Sequence, residues 1–411
     1  MTRPRRARLC LGVLALVLAA AASAAAAPRI VAIGDVHGDL PAFKAILAQA
    51  GLVDDAGAWS GGDATLIQLG DLIDRGPAMR ATLDYAMALE RQAQEKGGRA
   101  VFLLGNHEVM NMAGDLRYVA KENWTEFAGP DSEKKREEAW AALAALRTRR
   151  AKQLGTTDPA VGPEAKQEWL AAHPLGYLEQ REAFGPDGVY GKWLRTHAAI
   201  VLEQGSVFVH GGVAAPEPLA DVDRKIREEL ATYDDDRQTF VAQGLILPFF
   251  DLQETFRALH EVLDALDARD ASTGKTSLTT EEGVRWTRYT RFLAWDQWAM
   301  NSPDGPLWFR GYAKWSEAEG RFQVPRILEA LHAERLVVGH TVQAKGVVQV
   351  RFGGTVYEID TGMLDGTFFP GGRASAITLA GGTVTALYPG EPPQVISPPP
   401  GRKPAKAAAL R

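Results

Sequence analysis

Short polar motifs with glycine beside Asp, Asn or His recur along the chain and carry its most reactive side chains. In chain order, five of them read Gly34-Asp-Val-His-Gly38, Gly70-Asp-Leu-Ile-Asp-Arg-Gly76, Gly105-Asn-His-Glu108, Val209-His-Gly-Gly-Val213 and Val338-Gly-His-Thr341. Carboxylate, amide and imidazole groups without sulfur are the donors that suit Mn, Fe or Zn. A single motif of this length occurs by chance. Several in order, each after an apolar run, predict one shared metal site.

The side chains of these motifs suffice for a pair of metal ions. Asp35 and His37 are two residues apart, so on an extended backbone they point to the same side. Asp71 comes from the next motif and can bridge two ions, and the other predicted ligands are Asn106, His210 and His340. Two such ions, roughly 3.5–4 Å apart, can share a bridging hydroxide and hold a phosphoryl group for in-line attack.

The same motifs supply residues that are predicted to act on the substrate rather than on metal. His107 directly follows Asn106, so its side chain should point away from the ions and toward the leaving group. Asp74 would hold that imidazole in one tautomer, which makes His107 a candidate general acid. Arg75 and, in a separate segment, Arg310 offer planar guanidinium forks that match phosphate oxygens.

The apolar runs before the first motifs predict buried strands that end where each motif begins. They cover residues 29–33, 65–69 and 100–104, with helices predicted between them at 41–50 and 78–96. Strands that alternate with helices favour an α/β fold with a mostly parallel sheet, whose sites lie at the carboxyl ends of the strands. Later strands are predicted at 199–202, 206–209, 336–338, 346–350, 355–359 and 374–379.

Two charged, alanine-rich stretches interrupt this pattern, at about 113–196 and about 216–300. Because motifs flank both stretches, we interpret them as helical insertions in one catalytic domain that covers residues 28–388. The proline-rich segment 389–411 has no hydrophobic periodicity, and such a composition cannot bury enough surface to offset its chain entropy. We therefore predict that this segment is a disordered tail.

The N-terminal segment predicts export. Its first eight residues contain four arginines and no acid, and a Leu/Val/Ala run follows that ends in small residues near Ala27. This is the three-part pattern of a secretory signal peptide, here residues 1–27, and it predicts a periplasmic or secreted protein. The alternative is an uncleaved leader that anchors the protein, because roughly 18 or more apolar residues can span a bilayer.

Composition excludes two classes of protein. The chain has 411 residues, of which 46% are apolar, and a formal net charge of −5 at pH 7. It is therefore not a strongly basic nucleic-acid-binding protein. The single cysteine, Cys10, lies in the predicted leader, so the mature chain has no thiolate nucleophile. Cysteine-based phosphatase and protease chemistry is excluded.

Taken together, the five motifs resemble those of the calcineurin-like metallophosphoesterases. The unbroken Asp-Arg-Gly and Gly-Asn-His-Glu elements resemble the phosphoprotein phosphatase group within them. The leader, the Gly339-His-Thr341 motif and the segment Leu307-Trp-Phe-Arg-Gly-Tyr312 are most similar to the bacterial Shewanella-like protein phosphatases. The resemblance implies a four-layer α/β/β/α sandwich and hydrolysis by direct attack of a metal-bridging hydroxide.

Carried over by position, the resemblance also implies how the ligands divide between the two ions. One ion takes Asp35, His37 and Asp71, and the other takes Asp71, Asn106, His210 and His340. His107 is the general acid, oriented by Asp74, and the phosphate is held by Arg75 and Arg310. The ions are divalent or mixed-valence Mn, Fe or Zn, and we expect manganese to serve in vitro.

The expected reaction is hydrolysis of phosphate monoesters, either phosphoprotein Ser/Thr or Tyr or small phosphoesters. One alternative is a nucleoside polyphosphate hydrolase of the diadenosine tetraphosphate type. An alternative of another class is a non-catalytic binding module that kept the fold. The expected partner is a phosphorylated substrate, with no nucleic acid and no stable membrane partner, and the oligomeric state is left open.

Overall fold

A computed structural model describes residues 28–154, 160–273, 279–364 and 368–397 of the chain. The predicted signal peptide, residues 1–27, lies outside the described residues. In these ranges, no helix combines the length and the apolar character needed to cross a bilayer.

The described strands form two sheets. The first has six strands in the order β11-β10-β9-β1-β2-β3, in which β1, β2 and β3 are parallel and the other pairings are antiparallel. The second has five strands in the order β4-β5-β6-β8-β7, with antiparallel pairs at both edges and parallel pairs in the middle. The strands are β1 Ile30–Ile33, β2 Thr65–Gln68, β3 Arg99–Phe102, β4 Ile200–Glu203, β5 Ser206–Val209, β6 Arg335–Val338, β7 Gln349–Arg351, β8 Val356–Glu358, β9 Ala376–Ala380, β10 Thr383–Leu387 and β11 Gln394–Val395.

Helices connect many of these strands. The long ones fill the two stretches predicted to be helical insertions, where α4 to α8 lie between β3 and β4 and α9 to α11 follow β5. The helices are α1 Leu40–Gln49, α2 Met79–Glu95, α3 Asn106–Ala113, α4 Lys121–Phe127, α5 Ser132–Leu154, α6 Pro163–Ala172, α7 Tyr177–Phe184, α8 Val189–Leu194, α9 Leu219–Ala242, α10 Leu252–Thr273, α11 Thr280–Leu293, α12 Gly311–Lys314 and α13 Glu317–Ala330, with a 3₁₀ turn at Trp295–Gln297.

Alternation along the strands shows that each sheet is covered on both faces. In β1, Ile30 and Ala32 join an apolar cluster with Phe208 and Val337 of the second sheet, so this cluster lies between the sheets. Val31 and Ile33 instead join the cluster formed with the helices on the outer face of the first sheet. The outer face of the second sheet has its own cluster, which includes residues of α13. The predicted four-layer α/β/β/α sandwich is therefore confirmed.

The prediction of a mostly parallel sheet holds for β1, β2 and β3, on which it rested, but both complete sheets are mixed. Apolar periodicity indicates that a strand is buried but not the direction of its neighbour. The strands β9 and β10, of which the sequence analysis missed the second, pair Ala380 with Thr383 across a two-residue turn. Gly381 and Gly382 both have positive φ, at 56° and 81°, as a tight hairpin turn of this kind requires.

The predicted disordered tail needs a correction over residues 389–397. Here Gln394–Val395 forms β11 against β10, and the Ile396 amide donates to the Val384 carbonyl at 2.9 Å. An edge strand presents unpaired backbone groups, and these can pair with a neighbouring segment whatever its side chains are. The composition of the tail therefore did not reveal the strand. Residues 398–411 lie outside the described residues.

Candidate active site

The five motifs converge on one buried hollow at the strand ends, with the Asp71 carboxylate at its centre. Asp71 Oδ2 lies 3.8 Å from His37 Nε2, 3.8 Å from His107 Nε2 and 3.3 Å from His210 Nε2. His37 comes from the first strand end, His107 from α3 and His210 from the end of β5. Side chains separated by up to about 170 positions in the sequence thus meet around one oxygen.

The remaining predicted ligands lie on the two sides of this centre. The Asn106 side-chain oxygen is 2.9 Å from His210 Nε2, and the rings of His210 and His340 lie 4.9 Å apart. Asp35 Oδ2 is 3.8 Å from His37 Nε2, while its other oxygen accepts the His340 amide at 2.9 Å. All six residues that the sequence analysis proposed as ligands are therefore brought together, and all are buried.

The donor set fits a pair of cations. His37 Nδ1 faces the Ile73 carbonyl at 3.1 Å and His210 Nδ1 faces the Leu69 carbonyl at 2.9 Å, so the hydrogen-bond network assigns the protons to Nδ1. For His37 this leaves the Nε2 lone pair directed at the hollow, an arrangement that metal-binding histidines use. His210 Nε2 faces the Asn106 and Asp71 oxygens, so a bound cation would replace a proton there. His340 Nε2 is buried and has no hydrogen-bond partner in the described part of the chain.

Two groups of residues have ligand atoms close enough to share one ion each. They are His37, Asp71 and His107, and Asp71, His210 and His340, with the ligand atoms of each group within 4.8 Å of one another. Asp71 belongs to both groups, as expected of a bridging carboxylate. The first group contains His107, so distance alone does not separate a ligand role for this residue from its predicted role as an acid.

Several residues of the site adopt a strained backbone. Asp71, Asp74, Arg75, His37 and His340 all have positive φ, between 51° and 69°. This region is uncommon for residues with a Cβ, and such conformations cluster at functional sites where the surrounding structure imposes them. The sharp turns after the strands are what direct these side chains into the hollow.

The N-terminus of α3 holds the Asp71 loop in place. The His107 amide donates to Asp71 Oδ1 at 3.0 Å, so this carboxylate sits on the positive end of the helix. Glu108 accepts from the amides of Asp71, Leu72 and Gly105 at 2.8–2.9 Å. The sequence analysis quoted Glu108 in a motif but assigned it no role, and the structure shows that it joins the two motifs.

The predicted acid, His107, has the expected orienting partner. His107 Nδ1 lies 2.7 Å from Asp74 Oδ2, and both side chains are fully buried. Asn111, one turn along α3, donates to the same carboxylate and to the His107 carbonyl. The sequence analysis missed Asn111, although its spacing of four from His107 on a helix was a usable signal.

The two predicted phosphate-binding arginines both face the hollow, by different routes. Arg75 Nη1 lies 2.7 Å from His37 Nε2, and its guanidinium is 5.4 Å from the ring centres of Tyr118 and Phe369. Arg310 donates to the His340 carbonyl at 2.9 Å and to the Thr341 hydroxyl at 3.1 Å. Both guanidinium groups are partly exposed, so they can also reach a bound anion.

Burial and the neighbouring charges shift the pKa values of Asp35 and Asp71 in opposite directions. Burial, followed by the charge of Asp360, raises the pKa of Asp35 well above its usual value. Burial acts in the same direction on Asp71, but the imidazoles of His210 and His107 outweigh it and hold the pKa of Asp71 well below its usual value. Asp71 is therefore the permanent negative charge of the site.

The pKa values of the histidines in the hollow also shift in opposite directions. Burial lowers the pKa of His37 and of His340 well below the usual value, so both are neutral and able to donate a lone pair to a cation. Burial also disfavours charge on His210, but Asp71 and Asp35 outweigh it and raise the pKa of His210 to about 9. Shifted groups of this kind concentrate at functional sites.

One buried acid of the site was not predicted. Asp360 follows β8, its Oδ1 accepts the Gly362 amide at 3.0 Å, and its Oδ2 has no hydrogen-bond partner within the described ranges. Burial raises the pKa of Asp360 to about 6. The available signal was the apolar run 355–359, which ends at this aspartate just as the earlier runs end at the metal-binding motifs.

Comparison with known proteins agrees with this geometry. The family model of the calcineurin-like phosphoesterases matches residues 28–237, slightly more than half of the chain. The chain belongs to the calcineurin-like phosphoesterase family. The matched range contains the first four of the five motifs, and His340 lies beyond it.

Individual relatives show which members of the family this chain resembles. Shewanella-like protein phosphatase 2 of Arabidopsis thaliana is 35% identical over 194 residues, 46% of this chain and 47% of the plant protein. The chain thus spans about half the length of that relative. An uncharacterized protein of Schizosaccharomyces pombe is 28% identical over 339 residues, 82% of this chain and 74% of the yeast protein. The match to the plant protein confirms the predicted likeness to the Shewanella-like phosphatases.

A solved structure shares the fold over most of the chain. The crystal structure of a cold-active protein-tyrosine phosphatase of a psychrophilic Shewanella species superposes with a TM-score of 0.52 and 21% identity. The match covers 90% of this chain and 80% of that protein. The fold is therefore shared over a larger part of the chain than the family model matches.

Proposed function

We propose that this phosphoesterase is a two-metal phosphatase that hydrolyses phosphate monoesters. The observation that carries the proposal is the position of Asp71 Oδ2, within 3.8 Å of three imidazole nitrogens from three separate motifs. Asp35, His37 and Asp71 would hold one ion, and Asp71, Asn106, His210 and His340 the other. When bound, two divalent ions supply an activated water and polarise the phosphoryl oxygens.

The chain's own groups supply the rest of the reaction. Arg75 and Arg310 would bind the non-bridging phosphate oxygens and hold the phosphorus in line for attack. His107 would donate its proton to the leaving-group oxygen, and Asp74 would hold its ring in the required orientation. The buried walls around Asp71 exclude bulk water, which strengthens each of these interactions.

For the substrate, we propose a preference for aryl phosphates, of which phosphotyrosine is the protein-borne example. Tyr118 is 39% exposed and Phe369 is partly exposed, although large apolar side chains are usually buried. Tyr118 and Phe369 both lie against Arg75, so aromatic surface stands directly beside the predicted phosphate-binding group. An aromatic leaving group would pack there, whereas the alkyl chain of phosphoserine would leave this surface exposed.

The proposal is tested with Asp71→Asn protein that carries both metals and is folded by circular dichroism. We expect hydrolysis of p-nitrophenyl phosphate to fall by at least about 1,000-fold, because the bridging charge is lost. The control is Asp63→Asn, an exposed aspartate before β2, which should keep full activity. Wild-type rates in folded Asp71→Asn protein would contradict the mechanism.

A substrate panel on the same preparation tests the preference. Phosphotyrosine, phosphoserine and phosphothreonine peptides and diadenosine tetraphosphate are compared by kcat/KM with Mn, Fe or Zn supplied. We expect the phosphotyrosine peptide to react fastest and manganese to support the reaction. Faster cleavage of diadenosine tetraphosphate would favour the polyphosphate hydrolase, and no hydrolysis with both metals bound would favour the binding module.

We also propose that residues 1–27 direct export and are removed. The support is the arginine-rich start, the apolar run and the small residues near Ala27. Fractionation of cells that produce the full chain, followed by N-terminal sequencing, tests this. A mature N-terminus near Pro28 in the soluble exported fraction is expected, and a membrane-bound protein that retains Met1 would contradict cleavage.

A further inference from the structure

The helical part of the chain contains a second cavity, of about 570 Å³ and partly open to solvent, beside α3. Its walls come from α3, α7, the α7–α8 connection, α9 and the segment before α10. The lining residues include Met112, Arg181, Pro186, Tyr233, Arg237 and Pro248. None of its lining residues belongs to the metal-binding motifs. Cavities of roughly 300–1,000 Å³ are the usual size for small-molecule sites.

Two arginines in this cavity lack acidic partners. Arg181, on α7, is only 6% exposed, and its Nη1 donates to the Asn111 carbonyl at 2.9 Å. Its Nε has no hydrogen-bond partner in the part of the chain that the structure describes. Arg237, on α9, donates to the Thr255 hydroxyl and to two backbone carbonyls at 2.9–3.1 Å. None of these described bonds ends on a carboxylate.

The acids around the same cavity are already engaged by other cations. Asp234 accepts both Nε and Nη2 of Arg195 at 2.7 and 2.8 Å. Asp235 pairs with Arg288 at 2.7 Å. These two carboxylates are thus paired with arginines that do not line the cavity, and Arg181 and Arg237 are left without a hydrogen-bonded carboxylate in the described part of the chain.

Two further acids near the cavity, Asp187 and Asp251, do not neutralise the charge of the two arginines. Asp187, at the cavity rim, has a fully exposed side chain and lies 3.9 Å from the Lys192 amine. The charge of Asp251 favours the charged form of Arg181, but it acts more weakly than the opposing charge of Arg237. Burial, followed by the charge of Arg237, lowers the pKa of Arg181, so the two guanidinium groups repel each other. A bound anion would relieve a buried, unpaired positive charge of this kind.

We propose that this cavity is an oxyanion-binding site, built to take a phosphate or phosphate-bearing small molecule between Arg181 and Arg237. Planar guanidinium groups bind tetrahedral oxyanions through paired N–H donors, and two of them balance a doubly charged phosphate. The site is separate from the candidate active site, so it does not depend on the proposed reaction.

Inorganic phosphate is the probe, and the protein is the full chain with its metals. Equilibrium dialysis should give two phosphates bound per chain, one in the active site and one in the cavity. Arg237→Gln should weaken one of the two by at least about 10-fold, because a charge-assisted contact is lost. Arg75→Ala should weaken the other and leave the cavity phosphate in place.

Two further variants guard against loss of folding. Arg181 also donates a hydrogen bond to α3, so its replacement risks the fold. Asp187→Lys, at an exposed position, instead adds positive charge at the cavity rim. This variant should tighten phosphate binding in the cavity by about 2- to 5-fold at low salt. Arg227→Gln, on the outer side of α9 and paired with Asp223, is the matched control and should change nothing.

The outcomes test the cavity site separately from the proposed active site. One phosphate per chain, with affinity unchanged in Arg237→Gln and Asp187→Lys, overturns the cavity site. If Arg237→Gln loses a phosphate while Arg75→Ala loses none, the cavity site stands and the proposed active-site role of Arg75 fails.

Discussion

Asn111 Nδ2 lies 2.9 and 3.0 Å from the two carboxylate oxygens of Asp74 and donates to them. Asp74 in turn contacts His107 Nδ1, and all three side chains are fully buried. Asn111 itself is fixed from α7, because Gln180 donates to its side-chain oxygen at 2.8 Å. The orientation of the predicted acid therefore depends on a helix of the first inserted stretch.

The first prediction separates an acid role for His107 from a ligand role. His107→Gln should lower kcat about 100-fold or more for an alkyl phosphate, because the departing alkoxide needs a proton. For p-nitrophenyl phosphate the loss should be several times smaller, since that leaving group departs without one. Both rates are measured on protein whose metal content has been determined by elemental analysis.

Asp74→Asn is the companion variant and should show the same dependence on the leaving group, because it acts through the His107 ring. The control is the metal content, which should match that of the wild type in both variants. Loss of one metal from His107→Gln would identify this residue as a ligand and contradict its role as an acid.

The second prediction concerns Asn111 as a positioning residue. Asn111→Ala should lower kcat about 10-fold and leave KM nearly unchanged, because one hydrogen bond that orients Asp74 is worth roughly 1–1.5 kcal/mol. In a double-mutant cycle with Asp74→Asn, the two effects should not add, since both act through His107. Additive losses in kcat, or a rise in KM alone, would contradict this role.

The third prediction concerns the phosphate contact of Arg75. Arg75→Ala should raise the KM for p-nitrophenyl phosphate about 10- to 100-fold, because a charged bidentate contact is removed. Arg91→Ala, at an exposed position on α2, is the control and should leave KM unchanged. An unchanged KM in Arg75→Ala would mean that the phosphate is held by other groups.

The fourth prediction tests the close approach between two motifs. A Cβ at Gly105 would lie 2.3 Å from Asp71 Oδ1 and 2.4 Å from the Asp71 amide nitrogen. Gly105→Ala should therefore displace Asp71 and lower both metal content and activity at least about 10-fold, since small shifts at a catalytic centre are costly. Gly129→Ala, where nothing lies within 4 Å, should match the wild type in both measurements.

The fifth prediction is a pH dependence of stability from Glu358, a buried residue of β8. Burial raises its pKa to about 7 from 4.5, although the charge of Arg351 opposes the shift. The folded state therefore binds the proton more tightly than the unfolded state. The stabilisation is complete below pH 4.5 and is lost as the pH rises through 7, a loss of about 3 kcal/mol.

Urea unfolding of wild-type and Glu358→Gln protein at pH 5 and pH 8 measures this contribution. The other buried acids titrate in both proteins, so the difference between the two isolates Glu358. Glu358→Gln should gain stability relative to the wild type at pH 8. Equal pH dependence in both proteins would show that Glu358 remains charged in the folded state.

Much of the fold was predictable because the signals were local. Apolar runs that end at glycine located β1, β2 and β6 to within about one residue, since a buried strand must be apolar and a sharp turn must follow it. The strand β11 was not predictable, because its pairing depends on the free edge of β10 and not on its own composition. The direction of β9 and β10 was not predictable either, because an apolar run does not indicate the direction of the neighbouring strand.

The sequence by itself predicted which residues would carry the chemistry, because metal ligands are few in type and their order along the chain is specific. Only the tertiary structure decided that Asp71 lies at the centre, that Glu108 joins two motifs, and that Asn111 and Gln180 support Asp74. Those relationships are distances between segments remote in sequence, set by how two sheets and the inserted helices pack. For the same reason, the position of Arg181 and Arg237 at one cavity could not be inferred from any local pattern.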